Sequence, residues 1–93
     1  MHILETKHIE DCLDGSVVRE ILLSQKISAE FIQILGKKGD LQYFPQFARP
    51  FFKLNIQGKL NLKGIEGNTT IRIRLKTPIK ENFDLLTQFI QQY

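Results

Sequence analysis

The sequence predicts an α+β domain, in which an antiparallel sheet of three to four strands carries helices on one face as a two-layer sandwich. Three observations carry that expectation. From residue 51 to 76, apolar and polar side chains alternate with the two-residue period of half-buried strands. Gly58 and the pair Gly67-Asn68 interrupt this stretch where hairpin turns belong. Beyond Thr77-Pro78 the period lengthens, and Phe83, Leu86, Phe89, Ile90 and Tyr93 share one side of a helix over residues 80 to 92. With 93 residues the chain has enough apolar side chains for one core, so residues 1–93 are expected to form a single domain.

At the N-terminus, residues 2–5 offer a short edge strand. Asp14-Gly15-Ser16 supplies turn and capping chemistry ahead of Val17, Val18, Ile21 and Leu22, whose spacing fits the buried stripe of a helix ending near Gln25. A second cap, Ser28, precedes Glu30 and the stripe Phe31, Ile34 and Leu35, and Gly36 stops that helix. Lys37 to Asp40 reads as a turn and Leu41 to Phe44 as an edge strand. Pro45 and Pro50 then bound an irregular segment whose aromatic neighbours, Tyr43, Phe44, Phe47, Phe51 and Phe52, are expected to pack under the sheet or close one end of the core.

Turn chemistry fixes a register for the meander. A three-residue loop Ile56-Gln57-Gly58 pairs Leu54 with Leu60 and Phe52 with Leu62, and a two-residue Gly67-Asn68 turn pairs Leu62 with Ile73 and Leu60 with Leu75. Phe52, Leu54, Leu60, Leu62, Ile71, Ile73 and Leu75 then face inward. On the outward face Phe51 lies beside Lys63 and Arg72, Lys53 beside Asn61 and Arg74, and Asn55 beside Lys59 and Lys76.

The charge is unevenly spread. Residues 1–48 hold five Lys/Arg against seven Asp/Glu, whereas residues 49–76 hold seven basic groups against the single acid Glu66. Opposed cations destabilise a sheet by roughly 0.2–1 kcal/mol per pair, and no carboxylate within the meander relieves them. The expected function is therefore a small binding module whose basic sheet face meets an anionic partner, with RNA or DNA first and an acidic protein second. Lys53, Lys59, Lys63, Arg72, Arg74 and Lys76 would contact phosphate or carboxylate, supported by Asn61 and Phe51, and Arg49 would extend the patch. The same cations would also serve as an ordinary solvated face that discourages aggregation. An alternative is an interaction or structural module, homodimeric through the aromatic surface around Tyr43 to Phe51.

Other chemistries find little support. Apolar runs such as Ile21 to Leu23 are far short of a membrane span, no leader pattern opens the chain, and Cys12 is the only cysteine, so a cytoplasmic protein is expected. His8 and Cys12 would share a helix face, but too few further ligands follow for a structural zinc site. Residues 17 to 35 loosely resemble a helix-turn-helix, though Leu22 and Lys26 stand where that motif takes a small residue and a turn glycine. No phosphate-loop or nucleophile motif is complete, and neither an enzyme nor a cofactor is expected.

Overall fold

The computed structural model describes all 93 residues. Strands β1 (Ile3–Asp11) and β2 (Val17–Leu23) form a first hairpin, followed by helix α1 (Ala29–Leu35). Strands β3 (Asp40–Phe44), β4 (Phe51–Ile56), β5 (Leu60–Ile65) and β6 (Thr70–Leu75) form a meander, and helix α2 (Ile79–Gln91) ends the fold. One antiparallel sheet contains all six strands in the order β1-β2-β6-β5-β4-β3. The α+β class is as expected, while the sheet has six strands rather than three to four.

The two extra strands correct the reading of residues 1–25. Residues 17–23, expected to be helical, are β2, and the 2–5 edge strand is the start of the nine-residue β1. Asp14-Gly15-Ser16 is the hairpin turn between them. The Asp14 carboxylate accepts from the Ser16 backbone N–H at 2.9 Å and its hydroxyl at 2.6 Å, while Gly15 takes φ of 88°, which a side chain would strain. Those hydrogen bonds hold the Asp14 carboxyl below its usual pKa. The spacing of Val17, Val18, Ile21 and Leu22 suits a helix, but three of the four are β-branched and gain more as a strand beside β6. Ile21 and Leu23 enter the core, and Arg19, on the same face, places its guanidinium 5.2 Å from the Phe83 ring of α2. His8 and Cys12 accordingly lie on β1 and just past it, with no helix to align them, and two consecutive helices are absent from residues 17–35.

The other elements match closely. The Ser28 hydroxyl caps α1 by accepting from the Phe31 N–H at 3.1 Å, and Gly36 closes it. Both helices lie on one sheet face, where Phe31, Ile32 and Leu35 of α1 and Leu86 and Ile90 of α2 join the inward residues of β2, β4, β5 and β6 in one core. All seven side chains expected to point inward from the meander are buried. Gly64, also core-facing, makes room for its neighbours: a Cβ there would stand 3.1 Å from both Ile71 and Phe52 and 3.3 Å from Ile27. Asn82 is buried at the base of α2, and its Nδ2 donates to the Lys76 carbonyl at 2.8 Å, tying the helix to the end of β6. Neither helix is long and apolar enough to cross a membrane.

Candidate functional site

With the helices on one side, the opposite face of the sheet is open. Alternation along β4 and β6 sends Lys53, Asn55, Arg72 and Arg74 outward, each exposed between buried neighbours. The register then decides which of them meet. The second hairpin keeps the expected register, Leu62 opposing Ile73 and Leu60 opposing Leu75, but its tight turn is centred on Glu66-Gly67 rather than Gly67-Asn68, the Asn68 N–H donating to the Ile65 carbonyl at 3.1 Å. The first differs by two residues: its loop is Gln57-Gly58-Lys59, so Ile56 opposes Leu60 and Leu54 opposes Leu62. A shift of two preserves which side each residue faces and changes its neighbours.

The corrected register sets Lys53 against Lys63, and Lys63 against Arg72. Three cations therefore stand in one row across β4, β5 and β6. Extended outward, the row ends in Gln42 on β3 and, through Glu20 on β2, in Lys7 on β1. The next row reads Glu10, Val18, Arg74, Asn61, Asn55 and Asp40 from β1 to β3. Phe51 lies one row to the other side, opposite Ile65 and not beside Lys63 and Arg72.

Two hollows flank the cation row. The larger, about 810 Å³, is lined by Asn55, Asn61, Arg74 and Lys76, with Glu10 and Asp40 at its ends. The smaller, about 430 Å³, is lined by Phe51, Ile65, Asn68 and Thr70. Lys53, Lys63 and Arg72 line both. Lys59 sits in the exposed β4–β5 turn, its carbonyl accepting from the Lys76 N–H at 2.9 Å, and Arg49 lies in the 45–50 loop and lines neither hollow. The structure thus gathers Lys53, Asn61, Lys63, Arg72, Arg74, Lys76 and Phe51 on one face, with Lys59 at its end and Arg49 apart.

The expectation that no carboxylate relieves these cations needs correcting. Because residues 17–23 pair with β6, Glu20 comes within 3.4 Å of Arg72, and Glu10 and Asp40 border the larger hollow. The remaining cations of the face, Lys53, Lys63, Arg74, Lys59 and Lys76, have no carboxylate within 4.0 Å. Asn61, in the floor of the larger hollow, has its Oδ1 buried without a hydrogen-bond partner in the protein. A buried acceptor left in that state costs about 1–3 kcal/mol.

The aromatic segment divides between the two faces. Phe52 is buried and Tyr43, directly opposite, packs against the core. Tyr43 donates its hydroxyl hydrogen bond to Glu66, which raises the phenol pKa. On the open side Phe44, Phe47 and Phe51 gather with ring centroids 4.8 to 5.6 Å apart, Phe44 and Phe47 within 9° of parallel. Phe47 is the most exposed of the three, at 47%. Gln42 and Glu20 belong to this face and were not among the expected site residues, whereas Asn55 was expected to face outward and Phe44 and Phe47 to form the alternative aromatic surface. The alternation of 40–44 would have identified Gln42, whereas Glu20 required the strand assignment of residues 17–23.

No protein-family model matches the chain, and no curated protein or solved structure is significantly similar to it.

Proposed function

We propose that this protein is a binding module for an anionic polymer, with nucleic acid as the ligand, and that the open sheet face is its binding surface. The observation that carries this reading is the row Lys53, Lys63 and Arg72: three directly opposed cations on adjacent strands, of which only Arg72 has a carboxylate partner. Adjacent strands lie about 4.8 Å apart, so the row concentrates positive charge where the fold gains nothing from it. Phosphates laid across it would turn that repulsion into attraction and release counterions. Arg74, Lys76 and Lys59 continue the charge along the strands, while Glu10 and Asp40 at the edges repel a polyanion and favour the centre.

Nucleic acid fits better than a featureless polyanion because the surroundings of the row are not all charge. Asn55 and Asn61 line the larger hollow and offer amides able to read base edges.

Fluorescence anisotropy with labelled single-stranded and duplex oligonucleotides tests the reading. Four to six phosphate contacts with a single strand would give a slope of log K against log salt of about −3 to −4. Replacing Arg72 and Arg74 together by Glu should lower affinity at least tenfold and flatten that slope. Equal binding by the two proteins, or binding indifferent to salt, would count decisively against the proposal. Size-exclusion chromatography addresses the aromatic surface as a self-association site, since a constitutive dimer that ignores added oligonucleotide would favour that alternative.

A further inference from the structure

The smaller hollow differs in character from the larger one. Its walls combine the cation row on one side, with Glu20 beside Arg72 at its end, and Phe51 and Ile65 on another, while Asn68 and Thr70 add polar groups. Phe51 also leads the open-face cluster, its ring 4.8 Å from Phe44 and 5.5 Å from Phe47. An aromatic wall directly beside a phosphate-sized charge row is a combination that neither a solvated strand face nor a simple polyphosphate site requires.

We infer that the smaller hollow seats one unstacked base of a single-stranded nucleic acid, with the base against Phe51 and its phosphates on Lys53, Lys63 and Arg72. This inference rests on the proposed anion-binding role of the open face and assigns its ligand class within that role. Every base has a π-face, so stacking on a phenyl ring favours single strands without demanding a sequence. Asn68 and Thr70 lie within the same hollow as hydrogen-bonding groups for the base edge. A duplex keeps its bases stacked and paired, and would have to unstack one to use the seat. Phe47, exposed at the outer side of the cluster, provides a second surface for the neighbouring base.

The test compares two labelled ten-residue strands, oligothymidylate and an abasic strand with the same number of phosphates, by anisotropy against the full chain at low salt. Stacking of the seated base alone predicts oligothymidylate tighter by roughly 5- to 150-fold. Phe51→Leu, which keeps an apolar strand residue and removes the ring, should reduce that ratio to below about threefold, and Phe47→Ala in the exposed loop should reduce it by a smaller factor. Thermal melts establish that both variants are folded. Should wild type bind the two strands equally while retaining steep salt dependence, the base seat is overturned and the anion-binding role survives. A ratio undiminished in Phe51→Leu also overturns the seat. If neither strand binds, both readings fail together.

Discussion

Strands β4, β5 and β6 present two faces that are stabilised in opposite ways. Toward the helices, Phe52, Leu54, Leu62, Ile71 and Ile73 are buried in one core with Phe31, Leu86 and Ile90. Each such side chain contributes about 1.5–3 kcal/mol by leaving water. Toward solvent, the alternate residues of the same strands place Lys53, Lys63 and Arg72 side by side, where direct opposition weakens the sheet. The inner face tolerates that repulsion because its packing energy is many times larger. The outer residues are therefore free to answer to a partner, since the fold is fixed without them.

The largest expected effect lies on the inner face. Phe52→Ala should lower unfolding stability by about 3–5 kcal/mol in urea titrations, because the packed neighbours Gly64, Ile71 and Tyr43 cannot close the gap. Lys53→Ala, one residue away and facing out, should change stability by less than about 0.5 kcal/mol. Comparable losses from the two substitutions would break the contrast between the faces.

Next comes the junction of the layers. Asn82→Ala removes the donor to the Lys76 carbonyl, and the expected loss is about 1–3 kcal/mol by thermal or chemical denaturation. As Lys76 also lines the larger hollow, oligonucleotide affinity should fall with it by more than the loss of folded protein explains, and the salt slope should flatten. An unchanged melting temperature would show that α2 is held by its apolar stripe alone.

A smaller effect concerns alkaline pH. The Tyr43 hydroxyl donates to Glu66 only while protonated, so its pKa lies above 10.0 in the folded chain. A raised folded pKa means that the stabilisation is complete below the unfolded value of 10.0 and is lost as pH rises through the higher folded one. Stability should therefore decline in that alkaline window in the wild type and decline less in Tyr43→Phe, as measured by urea midpoints at stepped pH. Identical pH slopes would remove the Tyr43–Glu66 bond from the account.

How much of this was legible in the sequence depended on which interactions decide each segment. The meander was readable because its information is local: strict alternation fixes the faces, and the glycines mark where the chain reverses, although the second turn is centred on Glu66-Gly67 one residue before the expected Gly67-Asn68. The first turn lies one residue further along than expected, which moves the register by two, because Gly58 is compatible with either three-residue loop, and both loops leave the same residues inward. Residues 17–23 were misread because their helix-like spacing is overruled by β6, a partner about 50 residues away in sequence. That one long-range pairing also determined the candidate site, since it carries Glu20 to Arg72 and makes the face less purely basic than its own strands imply.

The subtlest test sets fold against function at a single residue. Lys63 stands between Lys53 and Arg72, and no carboxylate lies within 4.0 Å of it. Lys63→Thr replaces it with a good strand residue and removes both like-charge contacts, so stability should rise by a few tenths of a kcal/mol. If the cations are merely a solvated face, nothing else should follow. If the row holds phosphates, affinity for a single strand should fall severalfold and the salt slope should shrink by about 0.7, the share of one contact. A variant both more stable and weaker in binding would show that the wild-type lysine is there for the ligand. A variant of unchanged affinity would leave the row with only its repulsion to explain.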